Sequence, residues 1–261
     1  MSSDRSTAVL PLDEFERVKA IVTSYRLVDT PAIVAAREYG YDISLFKSSV
    51  AYSPIRRLNS AQPIFSSPGA SRVRERPGGD AELHPPATRP NAPTVEMLRA
   101  LASAQVRFIV IGGVAAQLLG SPRVTRDLDI LYDIAADNLD CLADVLVRWH
   151  PYLRGVEPGL PFIPDSKTIK AVEVLNLDTD FGWFDILQRV AGIGAYADAI
   201  RAADSVVIGD FSVNVLSLEA LIRSKLATGR PRDKIEVLEL EALRDVAEQH
   251  RAALDGEARR S

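Results

Sequence analysis

Asp127 and Asp129 stand one residue apart in Asp127-Leu128-Asp129-Ile130-Leu131, a run in which acidic and apolar residues alternate. In an extended strand alternate side chains share a face, so the two carboxylates project together, their Cα atoms about 7 Å apart, while Leu128 and Ile130 take the other side. Two unpaired acids so close on a strand repel each other, and a divalent cation is the natural partner for both. An exposed strand edge with solvated acids would explain one such aspartate. It does not explain the Arg123-x-Thr125-x-Asp127-x-Asp129 spacing, nor what precedes it: Ile109-Val-Ile-Gly112-Gly113-Val-Ala-Ala-Gln-Leu-Leu119. Without a Cβ, Gly112 and Gly113 let the backbone turn sharply and approach a ligand closely. A helix opening there offers unpaired N–H groups to a phosphate. Alone, Gly-Gly reads equally well as a plain strand-to-helix turn. Followed closely by the paired acids, it supplies the other half of a nucleotide–metal site.

The elements needed to position these residues are legible around them. Val106–Ile111 is a short apolar, β-branched run ending in glycine, which predicts a buried strand. Val114–Leu119 predicts a helix stopped by Gly120-Ser121-Pro122. Asn138–Trp149 has a helical period with Leu139, Leu142, Val145 and Leu146 inward, and Thr168–Leu177 reads as a strand. Val206–Leu216 reads as a hairpin turning at Gly209-Asp210. Ser217 is a candidate N-cap and Gly229 a candidate stop for a helix over 218–228. A long amphipathic helix follows over 231–253, with Ile235, Leu238, Leu243 and Val246 expected inside. Strands and helices interleave, so the expected class is α/β with a mixed β-sheet. On its helix Lys225 lies beside the apolar face, where it either snorkels to water or turns its amine toward an anion. Trp149 and Trp183 read as core or pocket wall. Arg230 and Arg232 read as solvated or helix-end residues.

Taken together, Gly112-Gly113 and Arg123-Val-Thr125-Arg-Asp127-Leu-Asp129 resemble the signature of minimal nucleotidyltransferases of the DNA polymerase β superfamily. The nearest likeness is to the AbiEii/MenT-type toxin nucleotidyltransferases of bacterial toxin–antitoxin systems. Gly182-Trp-Phe-Asp185-Ile-Leu is similar to the strand that bears that family's third carboxylate. Leu221-Ile-Arg-Ser-Lys225-Leu-Ala-Thr-Gly-Arg230-Pro-Arg-Asp233 is similar to its C-terminal element. The resemblance covers residues from about 94 to 250. It implies a nucleotidyltransferase fold, a mixed sheet flanked by helices. It also implies that Asp127, Asp129 and Asp185 are catalytic and hold two Mg²⁺ ions, with Asp185 a candidate general base. Gly112, Gly113, Arg123, Thr125 and Lys225 would bind the co-substrate NTP. Arg123 and Arg126 would either touch phosphate or neutralise the acids. The implied acceptor is a hydroxyl of tRNA or of a protein, and the implied role is that of a toxin with a cognate antitoxin as partner. An antibiotic or other small-molecule acceptor is a further option within the enzyme class. Two departures stand out: Glu236 where the family pattern has aspartate, and segment 150–167, which matches poorly. They bear on acceptor recognition, and they favour the alternative of a non-catalytic nucleotide- or nucleic-acid-binding protein that keeps the fold.

The first third of the chain reads differently. Residues 1–60 predict a helical extension, with Asp13 and Thr30-Pro31 as helix starts. Residues 61–93 carry seven prolines in thirty-three positions and few large apolar residues, the composition of a linker with disorder in it. Residues 94–261 are then the nucleotidyltransferase domain, expected to stay folded when residues 1–90 are removed. Lys47–Arg76 holds six basic residues against one acid, which reads either as a solvated tract or as an electrostatic hold on RNA. Residues 1–93 contain 12 basic and 10 acidic residues, leaving 19 and 25 for the remainder of the 31 and 35, a net of −6. A net-acidic domain does not advertise a broad nucleic-acid footprint. One cysteine excludes an internal disulfide and suits a reducing cytoplasm, and isolated histidines give no zinc pattern. No apolar run has the length of a membrane span, and the first residues lack a secretion-signal layout, so no membrane partner is expected.

Overall fold

The computed structural model describes residues 12–59, 92–156 and 162–259. Four helices come first: α1 (Leu12–Ser24), α2 (Pro31–Tyr39), α3 (Ile43–Ala51) and α4 (Pro54–Asn59). Then follow α5 (Ala92–Ser103), β1 (Phe108–Ile111), α6 (Gly112–Leu119), β2 (Asp127–Tyr132), α7 (Ala136–Arg148), β3 (Tyr152–Leu153) and α8 (Ser166–Ala171). The remainder is β4 (Val174–Thr179), β5 (Gly182–Leu187), β6 (Arg189–Val190), β7 (Gly194–Ala195), α9 (Tyr196–Ala199), β8 (Ala203–Ile208), β9 (Phe211–Leu216), α10 (Leu218–Thr228) and α11 (Pro231–Ala258). Among the described residues the main sheet has seven strands in the order β3-β4-β5-β2-β1-β9-β8. It is mixed: β2 runs parallel to β5 and antiparallel to β1, and β1 runs parallel to β9. Helices flank it, so the class is α/β.

Local chemistry sets the boundaries. Thr30 Oγ1 accepts the Ile33 N–H and Pro31 occupies the first turn of α2. Ser217 caps α10 through the Ala220 N–H, and Gly229 ends it in the left-handed region at φ 63°. Gly209-Asp210 forms the two-residue turn between Ile208 and Phe211, as the sequence predicts. The strand expected over Thr168–Leu177 is corrected. Asp165 accepts the Thr168 N–H at 2.7 Å and starts α8, so the chain is helical to Ala171 and extended only from Val174. In β4 alone, Leu175 and Leu177 face inward while Val174, Asn176 and Asp178 are exposed, a period of two.

Two apolar clusters hold the molecule together. The larger joins both faces of β1 with α5, α6, α7 and α10, and contains all four of the predicted α7 positions, Leu139, Leu142, Val145 and Leu146. Leu58 of α4 is fully buried in it. The smaller joins Ile33, Tyr41, Phe46 and Val50 of the α2–α3 region to Ala242, Leu243 and Val246 of α11. The Arg57 guanidinium donates to the carbonyls of Ser49, Val50 and Leu118, tying α3 and α4 to the end of α6. Burial lowers the Arg57 pKa to about 10. Because α2 and α3 pack on one flank of α11 and α10 on another, its buried side is broader than a single apolar stripe. Ile235 and Leu238 are only half-buried, whereas Asp233, Glu236 and Glu239 are buried. The Pro-rich stretch 61–93 lies outside the described residues except for its last two, which open α5. Among the described residues no helix is long and apolar enough to cross a membrane.

Candidate active site

Strand register assembles the acids. In the parallel pair β2–β5, Asp127 stands beside Trp183 and Asp129 beside Asp185. Neighbours in register share a face, so the third carboxylate arrives next to the second from a segment more than fifty residues away. One carboxylate oxygen from each of Asp127, Asp129 and Asp185 lies within 4.8 Å of the others, the spacing at which three oxygens can share a metal ion. Asp129 and Asp127 are half-buried and Asp185 is buried. Burial, reinforced by the charges of Asp127 and Asp185, pushes the Asp129 carboxyl up to about 7. Burial also raises the Asp185 carboxyl, partly offset by Arg154. Hard oxygen donors crowded against one another are the donor set that suits Mg²⁺.

The glycines are required by this packing. Gly112 sits at φ 64°, and a Cβ there would come within 2.2 Å of Asp129 Oδ2. A Cβ on Gly113 would meet Thr125 Cβ at 2.8 Å. The start of α6 is thus pressed onto β2 and onto the turn before it. Thr125 Oγ1 in turn donates to Asp127 Oδ1, which fixes that carboxylate.

These residues open onto a cavity of about 290 Å³. Gly112, Gly113, Arg123, Thr125, Asp127, Asp129 and Lys225 all line it; Asp185 joins the triad from behind Asp129 and does not. Arg126 is exposed and does not line it either. Arg230 and Arg232 are exposed at the start of α11, as expected of solvated helix-end residues, and also reach the rim of the cavity. The opposite wall is a row of buried acids spaced by three on α11: Asp233, Glu236 and Glu239. Glu236 accepts Lys225 Nζ at 2.5 Å, Arg123 Nη1 at 3.0 Å and Arg232 Nε at 3.1 Å. Those cations hold its carboxyl below the ordinary glutamate range despite burial. Glu239, pushed up by burial, accepts Ser121 Oγ at 2.5 Å. Asp233 accepts Thr228 Oγ1 at 2.6 Å and lies 3.6 Å from Lys225 Nζ. Glu236 therefore anchors both the lysine and Arg123.

Sequence reasoning missed three participants. Ser121 and Glu239 meet across 118 positions with no local signal. The third is Arg154, in the segment 150–167 where the sequence resemblance is poor. Its Nη2 lies 2.6 Å from both oxygens of Asp185. Trp183, expected as core or pocket wall, is 44% exposed, and the Arg154 guanidinium lies over its ring at 4.9 Å. Trp149, by contrast, is core, edge-on to Phe184.

The raised Asp129 carboxyl gives a pH signature for metal binding. A cation needs this group ionised, so its stabilising effect should fade as pH falls through about 7. The rise in Tm on adding Mg²⁺ is expected to be clear near about pH 8 and absent near about pH 5. A pH-independent rise would place the ion elsewhere.

The solution structure of the antibiotic-resistance factor ANT(2'')-Ia is similar to this chain, with a TM-score of 0.36 and 16% identity, over 65% of this chain and 96% of that one. The likeness is loose, and the chemistry of the site stands on its own geometry. No protein-family model matches the chain, and no curated protein does.

Proposed function

We propose that this protein is a Mg²⁺-dependent nucleotidyltransferase that moves a nucleoside monophosphate from an NTP to an acceptor hydroxyl. The observation that carries this is the convergence of Asp127, Asp129 and Asp185, within 4.8 Å, beside a glycine-opened helix and a cation-bearing cavity. Asp127 and Asp129 would hold a first metal ion, and Asp185 would complete the set of ligands when the substrate is bound. Bound magnesium stabilises charge on the triphosphate and lowers the pKa of a hydroxyl near it. The N–H groups at Gly112 and Gly113 would serve the phosphates, since both residues line the cavity at the start of α6. Asp185, the candidate general base by resemblance, would take the acceptor proton once its oxygens are released from Arg154. Thr125 and Arg123 act largely through others: Thr125 orients Asp127, and Arg123 braces the acidic wall.

For the acceptor we propose a hydroxyl of tRNA or of a protein, with the chain acting as the toxin of a toxin–antitoxin pair and a cognate antitoxin as its partner. The support is the likeness of Arg123–Asp129 and of Leu221–Asp233 to toxin-type nucleotidyltransferases. Expression in a bacterial host should arrest growth, and Asp127→Ala should relieve the arrest. Equal arrest by both would remove the toxin role, and label transferred to an aminoglycoside in place of RNA or protein would replace it with antibiotic modification.

Lys225 is expected to serve the triphosphate, exchanging part of its contact with Glu236 for phosphate. Lys225→Ala should raise the NTP KM by about tenfold, or about 1.4 kcal/mol, with kcat little changed. Unchanged kinetics with a lowered Tm would instead make Lys225 a counter-ion to the buried acids and nothing more.

A further inference from the structure

Within this metal-site reading, on which the inference rests, the third carboxylate already has a cation. Arg154 follows β3, the short edge strand of the sheet, and its backbone N–H continues the ladder by donating to the Asn176 carbonyl at 2.8 Å. Its Nη2 is shared by Asp185 Oδ1 and Oδ2, both at 2.6 Å, an ion pair with both partners largely withdrawn from water. The planar guanidinium lies over the exposed Trp183 ring. Nη1 of the same group is buried and has no hydrogen-bond partner among the described residues. An unmatched buried donor costs free energy, so the pair holds Arg154 in an arrangement that other partners could improve.

Charge decides what this does to the site. Three carboxylates converge, and one guanidinium is fixed on one of them; Lys225 is turned away onto Glu236 and Asp233. With all three ionised, as cation binding requires, three negative charges less one leave two, which a single divalent ion neutralises. A second ion would have to take Asp185 oxygens that Arg154 occupies.

We propose that Arg154 is a positioning residue that latches Asp185 and limits the nucleotide-free protein to one divalent ion, held between Asp127 and Asp129. The second ion then depends on release of the latch when a triphosphate adds its own negative charge to the site. Trp183 is part of the device, because its ring fixes the plane in which the guanidinium meets Asp185.

Titration of the nucleotide-free, full-length protein with Mn²⁺, followed by electron paramagnetic resonance and calorimetry, tests this without any turnover. Wild type should bind one Mn²⁺ per chain. Arg154→Gln should bind a second, or bind the first roughly ten- to a hundredfold more tightly, the scale on which groups that hold metal ligands tune a site. Arg154→Lys, which keeps the charge, should stay near wild type. Trp183→Ala should shift affinity in the same direction as Arg154→Gln by a smaller factor, and it decides the matter if Arg154→Gln does not fold. Two Mn²⁺ ions on wild type, or identical stoichiometry and affinity in Arg154→Gln, would overturn the latch while leaving the metal site standing. No Mn²⁺ on wild type or variant would overturn the latch and the metal-site reading together.

Discussion

Replacing Asp127 or Asp129 by alanine is expected to lower kcat/KM for NTP by roughly 10³-fold or more, about 4 kcal/mol of barrier, without unfolding the protein. Each change removes a metal-facing oxygen from a site where the described geometry brings only three carboxylates together. The fold should survive because these side chains repel each other in the metal-free state. For Asp129 the sign is clear. Its carboxyl is pushed up to about 7 by burial and by its two neighbours, so the folded state holds that proton more tightly than the unfolded chain does. The associated stability is fully present below the ordinary aspartate range near about 4 and is lost as pH rises through about 7. Asp129→Asn should therefore raise the Tm of the metal-free protein near about pH 8 while abolishing its response to Mg²⁺. A lower Tm, measured by calorimetry without metal, would mean that Asp129 is a structural acceptor and not one of a repelling set.

The second large effect concerns the first helices. Phe46 is fully buried between Ile33, Val50 and the α11 residues Ala242, Leu243 and Val246. Phe46→Ala should cost about 3–5 kcal/mol, a fall in Tm of roughly 10 °C for a protein of this size. α11 carries Asp233, Glu236 and Glu239 on the cavity wall, so loosening it should also weaken the grip on Lys225 and Arg123. Removing residues 1–59 takes away the α2–α3 half of this cluster, uncovering Ala242, Leu243 and Val246, together with buried Leu58 and the Arg57 bonds to α3 and α6. That deletion is expected to abolish the cooperative melt, the opposite of what linker composition downstream of these helices suggests. A sharp calorimetric transition in the shortened chain would show that residues 60–261 fold without the first helices.

The parts of this site that were legible in the sequence are those encoded within one or two elements. Period two places Asp127 and Asp129 together, β-branched residues mark the strand before Gly112-Gly113, and Ser217 with Gly229 brackets the helix of Lys225. Asp185 beside Asp129 is a matter of sheet register, visible only through resemblance, because pairing across more than fifty residues leaves no local pattern. Arg154 lies in a segment with neither period nor familiar motif, and its importance comes entirely from what β3 pairs with. The error over 168–177 has a simple cause: Asp165 competes for the Thr168 N–H, and a cap outweighs weak strand propensity. On α11 packing on both flanks buries the acids at 233, 236 and 239, and the cations of the cavity make that burial tolerable.

The most direct measurement is transfer of label from each of the four NTPs, radiolabelled at the α-phosphate, by purified full-length protein with Mg²⁺ and bacterial RNA or lysate. Asp127→Ala runs alongside. Label entering an RNA or protein band with wild type alone is the predicted result, and the band names the acceptor class. NTP binding without label transfer from any nucleotide, or transfer that persists undiminished in Asp127→Ala, would contradict the assignment of Asp127, Asp129 and Asp185 as a nucleotidyl-transfer centre.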